Sequence, residues 1–276
     1  MSAISRRRGN PVAYLISFAL VGFCFLPALY IILGGFRTNS QIIQKPSGLP
    51  DPWVASNYID VLAGSLFWRE AANSLICAFG TTLGVVVLGL MASYAIARYN
   101  FKSKQAMYAF FSAGLMFPIT VAITPLYIMI RDLGLVNSLA GVILPQIAFA
   151  LPMTIIILTP VLKAIPKELE EAALVDGASR LGFFARMAVP LAMPGVITVG
   201  VLAFVGSWNG YLLPLFILSN EALYTLPLGV QSFASQYSVD TARVLAFVAL
   251  SMIPALIFFS VLERRIVGGL TGAVKG

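Results

Sequence analysis

Residues 163–194 read KAIPKELEEAALVDGASRLGFFARMAVPLAMP, a charged island inside a very apolar chain. It holds four acids, Glu168, Glu170, Glu171 and Asp176, and four bases, Lys163, Lys167, Arg180 and Arg186. Outward from it the sequence turns apolar in both directions. Over all 276 residues, 59% are hydrophobic and 11% charged, against about 25% charged in a soluble domain. Mean hydropathy is +0.91, which marks an integral membrane protein. A bilayer core takes about 20 apolar residues per helix and requires every backbone polar group to be bonded internally, so apolar runs predict helices. Six runs qualify, at about residues 11–36, 71–97, 106–130, 138–162, 195–218 and 244–262, and none contains Asp, Glu, Lys or Arg. The expectation is an all-α membrane protein with six transmembrane helices in a single domain, residues 1–276. Polar residues concentrated on one internal segment point to contact with something soluble.

Basic residues set the orientation. With the N-terminus inside, thirteen bases lie inside: Arg6, Arg7, Arg8, Arg98, Lys102, Lys104, the four of the island, Arg264, Arg265 and Lys275. Five lie outside: Arg37, Lys45, Arg69, Arg131 and Arg243. The positive-inside rule then predicts cytoplasmic termini, a cytoplasmic segment at 163–194, an outside loop at 219–243 and a cytoplasmic tail at 263–276. The net charge of +7 is mostly this topology signal, and a nucleic-acid footprint is the weaker reading. Arg6–Arg8 resemble the basic start of a secretory signal, but the apolar run continues for some 25 residues without an A-x-A-like cleavage site, which favours a retained first helix.

Absences narrow the chemistry. Histidine is missing, and with it the commonest general base, metal ligand and proton relay. Cys24 and Cys77 sit alone within apolar runs, without metal or redox spacing, and read as small hydrophobes. Carriers driven by protons or sodium commonly keep ionisable groups at membrane depth. The six runs have none, so the energy source lies elsewhere, and a membrane enzyme is disfavoured because no catalytic constellation is present.

Local chemistry shapes the island into two short helices. Pro166 suits a helix start, Glu168, Glu170 and Glu171 complement the positive end of the dipole, and Gly177 supplies a left-handed stop for a helix at about 167–176. Leu169, Ala172, Ala173 and Asp176 recur at helical spacing on one narrow face. Ser179 can cap a second helix at about 180–188 that carries Leu181, Phe183, Phe184 and Met187, with Pro190 ending it. Such an element either lies on lipid headgroups or seats in a partner's groove. Three glutamates beside anionic lipid favour the groove.

Glu171-Ala172-Ala173, three residues, Gly177, then nine residues and Met187-Ala188-Val189-Pro190 is similar to the EAA signature of bacterial ABC-importer permeases, EAA, x3, G, x9, I-x-L-P. Flanking Ile165-Pro166, Glu168-Leu169-Glu170 and Asp176-Gly177-Ala178-Ser179 match as well, while Met187 and Val189 stand where Ile and Leu are usual. The resemblance runs over nearly the whole chain and is closest to the six-helix subunit of carbohydrate-uptake permeases of the maltose-transporter type. Asn57-Tyr58, Val61-Leu62, Ala97-Arg98-Tyr99, Phe101-Lys102, Trp208-Asn209, Leu226, Gly229, Gln231 and the ending Gly268-Gly269-Leu270-Thr271-Gly272-Ala273-Val274-Lys275-Gly276 carry it.

That resemblance implies a type I ABC-importer permease fold in a bacterial inner membrane and no catalytic residue in the chain. ATP and Mg would be bound by a partner ATPase dimer, with a second homologous permease completing a heterodimer and an extracytoplasmic solute-binding protein delivering substrate. Glu170, Glu171, Ala172, Ala173, Asp176, Gly177 and Pro190 would form the coupling segment. Gly272, Ala273, Val274, Lys275 and Gly276 would reach the ATPase interface, or else fray as an ordinary chain end. In the outside loop, Tyr224, Gln231, Gln236 and Tyr237 suit either the binding protein or a membrane boundary. Polar residues at membrane depth, Asn73, Thr120, Thr124, Gln146, Trp208 and Asn209, suit either a sugar path or bonds between helices. The substrate class is a sugar; a glycerol phosphate or polyol is the alternative within the class, and a self-sufficient channel or secondary transporter the alternative outside it.

Overall fold

A computed structural model describes residues 11–233 and 239–273, and every regular element among them is helical. In chain order these are α1 (Pro11–Gly34), α2 (Asn39–Gln44), α3 (Ser56–Ala63), α4 (Ser65–Arg98), α5 (Lys104–Gly114), α6 (Ile119–Asp132) and α7 (Leu139–Lys163). Then come α8 (Lys167–Val175), α9 (Arg180–Phe183), a π-turn (Phe184–Ala188), α10 (Val189–Leu191), α11 (Met193–Trp208), α12 (Leu212–Ile217), a 3-10 turn (Glu221–Leu223), α13 (Leu226–Gly229), a second 3-10 turn (Val230–Phe233) and α14 (Thr241–Ala273).

Among the described residues four helices are long and apolar enough to cross a membrane, Tyr14–Gly34, Ser65–Arg98, Leu139–Lys163 and Thr241–Phe258. Two bent pairs, α5 with α6 at 103° and Arg180–Leu191 with α11 at 76°, bring the possible number to six. The run expected at 106–130 is therefore not one straight helix. Pro118 explains the break: a residue before proline is pushed out of the α region, and Pro118 itself is extended at φ −73° and ψ 130°. The run at 195–218 likewise stops at Trp208, and a short α12 follows. The run at 71–97 begins earlier, at Ser65, so Arg69 and Glu70 lie in the helix rather than in a loop. The last run extends to Ala273, so the expected tail is helical through Gly272 and Ala273, while Val274, Lys275 and Gly276 lie outside the described residues.

The described residues divide into two compact units, one of residues 11–65 with 230–233 and 239–252, the other of residues 66–229 with 253–273. In the first, buried Arg37 donates to the carbonyls of Pro46 at 3.0 Å, Gln41 at 2.6 Å and Lys45, so one guanidinium closes the exposed end of α2. Asn57 donates to the carbonyls of Gly35 and Arg37, each at 2.9 Å. Phe36 packs between Trp53 and Tyr58 at ring distances of 5.4 and 4.5 Å.

In the second unit α4 lies against α7 through its glycines. A Cβ on Gly84 would stand 2.2 Å from Ile147 Cδ1, and one on Gly89 would stand 2.3 Å from Thr154 Cγ2. Small residues let membrane helices approach closely, and dispersion contacts then replace the hydrophobic drive that lipid cannot supply. Cys77 is buried against Val142, Ile217 and Leu228, which fits its reading as a small hydrophobe, whereas Cys24 is exposed on α1.

This packing predicts that Gly84→Val destabilises the protein by about 1–3 kcal/mol through overpacking. Gly200→Ala, whose new Cβ meets nothing closer than 3.7 Å inside α11, should not lower stability. Thermal unfolding of the detergent-solubilised variants checks both; equal melting temperatures would contradict the packing account.

Candidate functional site

The island folds as two short helices joined at Gly177. Pro166 caps α8 and Glu168 and Glu170 occupy its first turn, where carboxylates meet free backbone N–H groups. At the other end Ala178 N–H donates to Ala173 O at 2.9 Å and Gly177 N–H to Leu174 O at 3.1 Å, the paired bonds of a Schellman stop. Gly177 has φ +86° with open space around its Cβ position, so its conformation and not crowding selects glycine. Ser179 caps α9, its hydroxyl accepting from Gly182 N–H at 3.0 Å.

Beyond α9 the chain departs from expectation, because Pro190 does not end the helix. The π-turn at Phe184–Ala188 widens the ladder so that Val189 N–H bonds to Phe184 O, five residues back. A proline has no N–H to place and its ring crowds the carbonyl four residues back in a regular α-helix, so the widened turn accommodates Pro190 and the chain bends later, at Ala192.

The two faces of α8 differ. Ala173 is buried in a cluster with Leu158, Leu162, Ile165 and Phe183. Glu168, Glu171, Ala172, Asp176 and Gly177 are exposed, and Val175 is 86% exposed. The single face expected from Leu169, Ala172, Ala173 and Asp176 is thus split, with Ala173 turned into the unit and Ala172 turned out. Glu170 also turns in. Its Oε2 lies 3.7 Å from Arg98 Nε and its Oε1 accepts from Tyr94 at 3.5 Å. Arg98 ends α4 with its side chain only 3% exposed and donates to Ile165 O at 2.8 Å, just ahead of α8. The Tyr94 ring packs tilted against Phe184 at 4.7 Å, and Arg180 lies 5.7 Å over the Tyr99 ring. Arg98 and Tyr94 are the residues that sequence reasoning did not assign to this site. The available signal was a basic residue closing an apolar run, where it complements the negative end of the helix dipole.

A second feature is a cavity of about 500 Å³ lined by Thr81, Gln146, Ser207, Asn209, Gly210 and Tyr211 with apolar neighbours including Phe149 and Leu202. Gln146 Oε1 accepts from Thr81 at 2.8 Å and from Ser207 at 2.6 Å. Of the residues expected along a path, Gln146 and Asn209 meet here. Trp208 does not line it: it is buried and stacks on Phe204 at 6.1 Å. Thr120 and Thr124 are exposed and outside the lining. Thr81, Ser207 and Tyr211 join the site without having been singled out in the sequence.

Asn73 has another task. Its Nδ2 donates to Ala222 O and Tyr224 O, each at 3.0 Å, while Ser74 accepts from Leu226 N–H at 2.8 Å. Both residues pin the segment around Tyr224 to the first turns of α4. Tyr224 is half-buried and Gln231 is exposed. Gln236 and Tyr237 lie outside the described residues. Among the described residues no group of three or more His, Cys, Asp or Glu could hold a metal.

Comparison with known proteins gives consistent findings. Residues 85–268 match the family described as binding-protein-dependent transport system inner membrane component. The chain is 31% identical to the diacetylchitobiose uptake system permease protein NgcG of Streptomyces coelicolor, over 98% of this chain and 90% of that protein. It is 37% identical to the trehalose transport system permease protein SugB of Mycobacterium tuberculosis, over 93% of this chain and 94% of that one. In fold it resembles a chain of a bacterial ABC transporter that imports the acidic polysaccharide alginate, with a TM-score of 0.74 and 21% identity, over 93% of this chain and 97% of that chain.

Because Arg98 is buried and paired, its loss leaves the Glu170 charge and the Ile165 carbonyl without their partner. Arg98→Met should cost about 3–5 kcal/mol. Arg131→Met, at an exposed pair with Asp132, should leave the melting temperature unchanged. Thermal scans of the two variants side by side test the assignment, and matching effects would refute it.

Proposed function

The chain belongs to the family of binding-protein-dependent transport system inner membrane components, and on that premise we propose that it is a sugar-carrying permease whose charged island receives the motion of a partner ATPase. The family is one of multi-pass inner-membrane transport components and not of enzymes. In this reading the island, residues 163–194, faces the cytoplasm together with both termini, and ATP and Mg are bound by an ATPase dimer outside this chain. A second permease completes the membrane heterodimer, within surrounding lipid. Segment 219–243, with Tyr224 and Gln231, meets the solute-binding protein, and the end of α14 with Gly272, Ala273 and the residues after them reaches the ATPase.

The observation that carries this reading is the exposed face of α8. Glu171, Ala172 and Asp176 stand outward beside a highly exposed Val175, on a helix whose opposite side is held by Arg98 and by the apolar cluster around Ala173. A rigidly held helix with a small, acidic-edged outer surface suits insertion into a groove. Glu170 and Ala173 then act from within, fixing the angle of the helix, while Glu171, Ala172, Asp176 and Gly177 form the contact. Pro190 lies in α10, ahead of the bend at Ala192 that joins the island to α11.

Relatives named for diacetylchitobiose and trehalose transport support a sugar as the cargo. The cavity supports it independently, because Gln146, Asn209, Ser207, Thr81 and Tyr211 offer hydrogen bonds and an aromatic ring, and among the described residues none lining it is charged. A neutral sugar is bound by such a lining, whereas a glycerol phosphate would leave its charges unpaired at depth. The same lack of charge in the lining disfavours an ion-coupled carrier.

In the reconstituted transporter, Glu171→Lys and Gly177→Val should each lower uptake and binding-protein-stimulated ATP hydrolysis by about tenfold, a coupling loss near 1.4 kcal/mol. Unchanged values in both assays would overturn the coupling role. Uptake competition in vesicles separates the substrates: neutral oligosaccharides should compete through the cognate binding protein, and competition by sugar phosphates alone would overturn the neutral-sugar reading.

A further inference from the structure

Helix α4 is anchored at both ends to the two segments that the importer reading assigns to soluble partners. In its first turns Asn73 and Ser74 bond the backbone at Ala222, Tyr224 and Leu226. One turn earlier, the fully buried Glu70 side chain packs directly under Gly229, where an added Cβ would force the carboxylate aside. In its last turns Arg98 bonds Ile165 O and pairs with Glu170, while Tyr94 contacts both Glu170 and Phe184. Asn73 and Arg98 are twenty-five residues apart on one helix, or about 38 Å at the rise of an α-helix.

Its backbone suits the transmission of displacement. Of the four described helices long enough to cross a membrane, α1, α7 and α14 contain proline and α4 contains none. Proline removes a ladder bond and lets a helix bend, so α1, α7 and α14 have proline points of yield that α4 lacks, and the glycines of α4, Gly80, Gly84 and Gly89, are braced by Ile143, Ile147 and Thr154. Both anchors also bind backbone carbonyls or buried charge, contacts that have no cheap substitute once water is excluded.

We infer that α4 is a strut that transmits displacement between the segment at Asn220–Gly229 and the charged island, with Asn73 and Ser74 as its positioning residues at one end and Tyr94 and Arg98 at the other. The inference rests on the importer reading, in which the first segment meets the binding protein and the second the ATPase. Coupling of this kind is reciprocal: if the binding protein changes the affinity for nucleotide, nucleotide changes the affinity for the binding protein by the same factor. A continuous helix fixed at both ends supplies a physical element on which both partners act.

The test uses the assembled transporter in lipid nanodiscs, titrated with its sugar-loaded binding protein in the presence and absence of a non-hydrolysable ATP analogue. The wild-type complex should show a nucleotide-dependent shift in binding-protein affinity. That shift should fall to within about twofold of unity in Asn73→Leu and in the charge-free pair Arg98→Gln with Glu170→Gln. Combining the two ends should lose no more than either alone, since one broken strut cannot break twice. If Asn73→Leu fails to assemble, Ser74→Ala removes the neighbouring anchor and carries the same expectation. A purely structural role would lower the yield of complex and leave the shift intact. Retention of the wild-type shift in assembled variants at either end overturns the strut. A wild-type complex with no shift at all overturns the importer reading, and the strut with it.

Discussion

A backbone amide in hydrocarbon has no water to bond, and that constraint governs where this chain can bend. Straight helices satisfy it internally. Each departure from straightness is met by a local device: Pro118, which has no amide hydrogen, stands at the 103° break between α5 and α6, and a π-turn absorbs Pro190 before the 76° break at Ala192. In the first unit, three carbonyls at the end of α2 converge on the Arg37 guanidinium. The bends are therefore places where unmet bonding capacity has been removed or reassigned.

The same accounting explains the hold on α8. A nine-residue helix is too short to be stable alone, so its order is borrowed from contacts. Arg98 provides a charge for Glu170 and a donor for Ile165 O in a single side chain, and the cluster around Ala173 adds apolar burial. Desolvating an arginine is costly, and here one hydrogen bond to Ile165 O and the Glu170 charge offset part of that cost, while Nε itself makes no hydrogen bond. The contacts Arg98 makes are to the segment whose placement decides how the island is presented.

Much of this was legible in the sequence, for reasons that can be named. Composition and run length gave the helical membrane class, and the Gly177 stop and the Ser179 cap were local chemistry that tertiary packing did not override. Pro118 broke a run that hydropathy read as continuous, because a window average cannot see one missing donor. The face of α8 was misjudged by about one residue, since Ala172 and Ala173 are equally apolar and only the bundle decides which turns inward. Trp208 suggested an aromatic platform, yet its ring is stacked on Phe204. Asn73 shows the opposite case, a polar residue at membrane depth that serves backbone carbonyls of a distant segment. Contacts separated by some 150 residues have no local signature.

The two-sidedness of α8 has an evolutionary corollary. Residues that hold the helix, Glu170 and Ala173, alternate with residues that face outward, Glu171, Ala172 and Val175. Selection can therefore rewrite the outer set without disturbing the inner one. On the coupling role proposed above, a change of partner needs substitutions at only three or four outward positions. Compatibility becomes a heritable trait of one helical turn and a half, largely insulated from the rest of the molecule.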